Sequence, residues 1–204
     1  MTLKQQRTDL QVIADMVAEG SRVLDIGCGN GDLLHILAQN KNIDGRGMEL
    51  SQEGVNACVA RGLAVIQGDA EFALCDYPDR AFDYVVLSQT LQAMSKPADV
   101  LEQMLRIGKY AIVSFPNFAY WRVRMYLALR GRMPVTPELH YAWYETPNTH
   151  FCTILDFIDL SADKGYIVEK AVAFDNKGGL RFHEQLGWHA NLFAQNALFL
   201  LRKN

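Results

Sequence analysis

One nine-residue stretch constrains this chain more than any other: Val23-Leu24-Asp25-Ile26-Gly27-Cys28-Gly29-Asn30-Gly31. Apolar residues around a single acid, then glycines at alternate positions, read as a buried strand feeding a sharp turn. Glycine lets a backbone bend tightly after a strand and approach a ligand without Cβ clashes. A dinucleotide loop of the form Gly-x-Gly-x-x-Gly would need glycine at position 32, where Asp32 stands. An acid there would also repel a pyrophosphate at the helix N-terminus. A P-loop is excluded, because no Gly-Lys-Ser/Thr follows. Asp25, inside an apolar strand, must be hydrogen-bonded or paired. The amino group of a methionyl moiety suits it, directly or through water.

The glycine run sits in a βαβ rhythm. Leu10, Ile13, Ala14 and Val17 share one helical face, and Gly20 follows as a C′ residue. The spacing predicts a strand over Arg22 to Ile26 and a helix from Asp32 that turns Leu33, Leu34, Ile36 and Leu37 inward. A strand from Ile43 to Met48 and a helix opened by Ser51 and closed near Gly62 come next. Ala64 to Gln67, Phe82 to Leu87 and Tyr110 to Phe115 are three more strands. Pro97 opens the helix before the last of these, with Ser95 or Lys96 as its cap. Thr153 with Asp156 resembles a capping box for a helix that ends at Gly165. Tyr166 to Phe174 and Asn196 to Leu201 complete the set, flanking a loop that carries Gly178, Gly179 and Trp188. Such alternation implies an α/β fold with a doubly wound, mostly parallel, seven-stranded sheet of Rossmann-like type. At 204 residues a single domain is expected. Residues from about 116 to 151 break the rhythm and read as an insertion. It holds one helix, Phe118 to Arg130, capped by Asn117 and ended by Gly131, and a loop rich in Tyr and Trp.

Two further acids follow strands two and three. Glu49 stands where doubly wound folds place a ribose-binding carboxylate. Asp69, in Gly68-Asp69-Ala70, can accept from an adenine amino group. Taken singly, the glycines could be a tight turn, Glu49 a solvated strand end and Asp69 a helix cap. Acids at three successive strand ends, with the glycine loop first, make a nucleotide site. From Val23 to Phe115 the chain resembles class I S-adenosylmethionine (SAM)-dependent methyltransferases. By that resemblance Asp25, Gly27 and Gly29 line the methionine part, Glu49 the ribose hydroxyls and Asp69 the adenine. Cys28, Leu50 and Ala70 belong to the same cofactor-binding set, and Ser88 and Gln89 lie beside the sulfonium. The implied cofactor is SAM or S-adenosylhomocysteine (SAH).

The stretch Ser88 to Met94 offers no proton acceptor better than glutamine, and the Asn/Asp-Pro-Pro-Tyr/Phe clamp of amino-methylating enzymes is absent. No catalytic residue is therefore assigned; His140 and His150, flanking the aromatic loop, are the candidates for a general base. The four cysteines, Cys28, Cys58, Cys75 and Cys152, form no CxxC pair, and His150-x-Cys152 alone is a poor metal site, so no metal is expected. The net charge of −3 gives no reason to expect nucleic acid. The N-terminus has no apolar signal core and no apolar run suits a membrane, so a reduced, cytoplasmic protein is the expectation.

Between Gln103 and Pro137 there is no acid, while Arg106, Lys109, Arg122, Arg124, Arg130 and Arg132 all fall there. The helix around Tyr120 to Arg130 is either an amphipathic cover for the sheet or a docking surface of arginine and large aromatics. Three segments carry a narrower resemblance: Ser114 to Arg124, Gly131-Arg132-Met133-Pro134, and Tyr144 to Thr153. Together with the glycine motif and Ser88 to Met94, they are similar to the methionine biosynthesis protein MetW family. That resemblance implies a role in making methionine as a partner of homoserine O-acyltransferase (MetX), with the Arg-rich helix Tyr120 to Arg130 as the docking element. A SAM pocket in such a partner suits sensing of a downstream product. The alternative is a SAM-dependent methyltransferase acting on a small molecule.

Overall fold

The computed structural model describes residues 8–135, 142–146, 149–175, 181–183 and 186–203. Helix α1 (Thr8–Met16) leads to β1 (Arg22–Ile26), α2 (Asp32–Lys41), β2 (Asp44–Glu49), α3 (Gln52–Ala60) and β3 (Ala64–Gln67). A short α4 (Ala70–Ala73) precedes β4 (Phe82–Ser88), α5 (Pro97–Ile107) and β5 (Gly108–Pro116). Then come α6 (Trp121–Arg130), α7 (Ile154–Asp163), β6 (Ile167–Phe174), β7 (Arg181–His183), α8 (Trp188–Phe193) and β8 (Asn196–Arg202).

The sheet runs β3-β2-β1-β4-β5-β8-β6-β7. Strands β1 to β5 pair in parallel, and β8 enters antiparallel to both β5 and β6. All seven expected strands are present. The eighth, β7, adds three residues antiparallel to β6 at the sheet edge, within the stretch expected to be loop. A three-residue edge strand has too few side chains to show an alternating pattern, so the sequence carries no signal for it.

The strand order reverses between β1 and β4, which opens a crevice at their carboxyl ends. Buried on both faces, these strands send alternate residues to opposite sides. Val23, Tyr84, Val86 and Ile112 pack with α1 and α2 residues such as Ile13 and Leu37. Leu24, Val85, Leu87, Val113 and Phe115 pack with Leu101 and Met104 of α5 and Phe157 of α7. Phe115, Phe157 and Phe199 form an aromatic trio with centroids 4.6 to 5.9 Å apart. Helices α5 and α7 follow their expected signals. Pro97 stands in the first turn of α5, and Thr153 and Asp156 close a full capping box on α7.

Of the two cap candidates for α5, Lys96 holds the N-cap position, while the Ser95 hydroxyl and amide both donate to the Glu71 carboxylate. One cap differs from expectation. Asn117 does not open α6, which begins at Trp121 after Tyr120. The Asn117 side chain is buried instead. Its Nδ2 donates to the carbonyls of Asn191 and Ala194, each at 2.8 Å, and its Oδ1 accepts from Ala119 N at 3.1 Å. A buried amide with such partners is worth more to the fold as a brace between β5 and α8 than as a helix cap.

Candidate functional site

The turn after β1 is built as its glycines imply. Gly27, Gly29 and Gly31 all have positive φ, between 55° and 75°, where side chains are costly. Gly27 N and Cys28 N both donate to Met48 O, at 2.8 and 3.2 Å, which ties the turn to the end of β2. A Cβ on Gly27 would meet Thr90 Oγ1 at 3.0 Å, so the loop after β4 lies directly against the glycine turn.

Glu49 closes the turn from the other side. Its Oε2 accepts from Gly29 N, and its Oε1 accepts from Ser51 N and Ser51 Oγ, each at 2.9 Å. Partial burial alone would raise its pKa, but these donors outweigh it and hold the carboxyl below its usual value. Asp69 is the N-cap of α4, with Oδ1 accepting from Glu71 N at 3.0 Å. The same residue lines the cavity beside the turn.

Between these groups lies a cavity of about 430 Å³. Gly27, Glu49, Leu50, Asp69 and Ala70 line it, together with Thr90, Met94 and Ser95. The Ser95–Glu71 hydrogen bonds bridge two of its walls and depress the Glu71 carboxyl, with the Ser95 hydroxyl as the main cause. The sequence reading missed Thr90, Met94, Ser95 and Glu71. Of these only Thr90 stood next to an assigned residue in a segment already singled out.

The other assigned residues stand outside that lining. Asp25 is buried at 2% exposure, in register with Gly47 and Val86. Gly29 commits its N–H to Glu49. The Cys28 side chain packs behind the turn, with its Sγ 3.8 Å from Cys58 Sγ and Leu34 beside them. Burial is the main cause pushing both thiols up, and the Asp25 charge adds to it. Ser88 ends β4, and Gln89 follows it, in a polar chain. Ser88 Oγ donates to Asp9 Oδ2 at 3.1 Å, Ser114 Oγ donates to Ser88 Oγ at 3.3 Å, and Gln89 N donates to Ser114 O at 2.9 Å. Gln89 holds a left-handed φ of 57°, unusual for a non-glycine residue.

Of the histidine candidates, His150 reaches the rim, its Nε2 3.3 Å from the Ser95 carbonyl, a contact the ring makes as donor. His140 lies outside the described residues. Among the described residues no group of three or more His, Cys, Asp or Glu is arranged to hold a metal, and no helix is long and apolar enough to cross a membrane.

The sheet order and the crevice define the class I SAM-dependent methyltransferase fold, and solved structures share it. A SAM-dependent methyltransferase from Thermotoga maritima superposes with a TM-score of 0.68 at 21% identity, over 97% of this chain and 88% of its own. The family model for the methionine biosynthesis protein MetW matches residues 7–201, and the chain belongs to that family. A curated relative, the bifunctional methionine biosynthesis protein MetXA/MetW of Rhodopirellula baltica, is 38% identical over 85% of this chain. The chain spans 29% of that relative's length. Demethylmenaquinone methyltransferase of Listeria welshimeri is 25% identical over 74% of this chain and 72% of its own.

Proposed function

We propose that this chain is a cytoplasmic partner of homoserine O-acyltransferase (MetX) in methionine biosynthesis, and that it binds SAM or SAH in the Gly27–Glu49–Asp69 cavity. One observation carries the partner reading: α6 has no buried residue. A helix on a globular domain ordinarily buries an apolar stripe. Here Trp121, Met125, Leu127 and Leu129 are exposed, Leu129 at 76%. The Arg122 guanidinium lies over the Trp121 ring and that of Arg130 over the Tyr126 ring, at 5.9 and 5.0 Å. Apolar and aromatic residues with arginines held over flat rings are the composition of interface centres. A relative whose single chain carries both names, MetXA and MetW, supports the same pairing.

The cavity suits an adenosyl ligand in size. A carboxylate has about four lone-pair positions. Glu49 Oε2 accepts from Gly29 N, and its second lone pair suits one ribose hydroxyl. Asp69 keeps Oδ2 for an adenine amino group. SAM bound there would report the level of a product made from methionine.

A second reading, methyl transfer to a small molecule, draws on the likeness to the Listeria methyltransferase. One set of experiments separates the two. Co-elution of the full chain with the acyltransferase, with faster homoserine acylation, is the expected result. Acylation that is the same with and without the chain would sink the partner reading. Calorimetry with SAH should show binding that Glu49→Gln weakens about tenfold, the usual worth of a charge-assisted hydrogen bond. Methyl transfer to a defined acceptor, lost in Asp25→Ala, would favour the enzyme.

A further inference from the structure

Helix α6 carries two stripes side by side. Trp121, Met125 and Leu129 fall four residues apart, and all three are exposed. Arg122, Tyr126 and Arg130 each follow one of them by a single position. Residues four apart share a helix face, so an apolar ridge runs along α6 with a basic ridge beside it.

The two arginines are seated. Arg122 rests over the Trp121 ring and Arg130 over the Tyr126 ring. A ring attracts the flat face of a guanidinium and engages none of the N–H groups around its edge. Neither arginine takes part in an ion pair among the described residues. The chain offers no local acid, since none lies between Gln103 and Pro137. Each planar fork is therefore ordered before any partner arrives, and the entropy that ordering a long side chain demands is already spent. Such a fork matches a carboxylate, which it grips through two parallel N–H bonds. Arg122 and Arg130 stand eight residues apart on one helix, which is about 12 Å along the axis.

We propose that α6 docks as an inserted helix in an apolar groove of the acyltransferase, and that the rim of this groove presents two carboxylates about 12 Å apart, one for Arg122 and one for Arg130. The proposal rests on the partner reading above and adds what the partner's surface must carry. The groove takes Trp121, Met125 and Leu129. Closing over them excludes water from the flanking ion pairs and strengthens each pair. A nucleic-acid backbone would satisfy the arginines but has no apolar wall for the ridge. The net charge of −3 also disfavours a phosphate polymer.

The test is titration of the full chain into the acyltransferase, read by calorimetry and by co-elution. Arg122→Glu combined with Arg130→Glu should weaken association about a hundredfold. Arg46→Glu combined with Lys164→Glu makes the same change in net charge at exposed positions outside α6, and should leave association within about twofold. Arg122→Lys combined with Arg130→Lys keeps both charges but loses the fork, and should weaken association about tenfold. Melting temperatures show whether each variant is folded; if R122E/R130E is not, the lysine pair decides. Association that R122E/R130E or R122K/R130K leaves at wild-type strength, or that R46E/K164E weakens as much as R122E/R130E, would overturn the carboxylate rim and leave the partner reading standing. Self-association of the chain, or adsorption to phosphatidylglycerol vesicles, that R122E/R130E abolishes would assign α6 to a second copy or a membrane and overturn the proposal. No association of the wild-type chain with the acyltransferase would sink the partner reading itself, and this proposal with it.

Discussion

Helices α5 and α6 flank the same strand, one entering β5 and the other leaving it, and they are opposites. Helix α5 buries Val100, Leu101, Met104, Leu105 and Ile107 against the sheet, while α6 buries nothing. Both are of ordinary length, at 11 and 10 residues. The difference lies in where their apolar residues go. In α5 they repeat at helical spacing on one side, and the polar side faces water. In α6 arginines stand in the first turn and at the end, and Trp121, Met125, Leu127 and Leu129 all stay exposed, so no stripe lies on the sheet. The first helix exists to close the core. The second is held at its N-terminal end, through Arg124 Nε on Ala119 O at 2.6 Å and the Phe118–Phe151 ring contact at 4.6 Å.

That contrast predicts a gradient of effects along one short stretch of chain. Leu101→Ala in α5 should cost the most, about 2–5 kcal/mol, because it leaves a cavity in a sealed core. Urea unfolding would show it as a lower midpoint at unchanged slope. Asn117→Ala, at the hand-over from β5 to α6, should cost about 1–3 kcal/mol, because two carbonyls lose their buried donor. A cost near zero would mean that α8 is held without this brace. Leu129→Ala in α6 should change stability least, by about 0.5 kcal/mol or less. The same substitution, combined with Trp121→Ala, should weaken association with the acyltransferase about thirtyfold if α6 is an interface centre. A large loss of stability in that pair would erase the contrast and return α6 to the role of a cover.

The pH response sharpens the picture of the site itself. The folded pKa of Glu49 lies below its ordinary 4.5. The bonds from Gly29 and Ser51 thus stabilise the turn fully above about pH 4.5, and this contribution fades as pH falls through the folded value. Thermal melts of wild type and Glu49→Gln should therefore converge between neutral pH and pH 3. A gap that stays constant over that range would mean that Glu49 is not held as described.

Much of this protein was written in residue order. The apolar runs, the alternate glycines and the capping pair Thr153–Asp156 are local signals, since each depends on neighbours within one turn or one pleat. They placed seven strands and the cavity's acids at strand ends. The uses of single polar side chains were not local. Asn117 looked like a cap because caps are Asn in sequence. It is a brace because Asn191 and Ala194, more than 70 positions away, bring two carbonyls to it. Cys28 was assigned to the ligand by its place between glycines, yet Cys58 and Leu34 draw its thiol behind the turn. Gln92 gave no signal at all: its buried Oε1 meets no hydrogen-bond partner among the described residues, and an acceptor is bare only when the whole fold around it has been assembled. Sequence decides where the chain bends and which face is apolar. Only packing decides which polar atoms are met and which are left waiting, since hydrogen bonds across the fold join residues far apart in the chain.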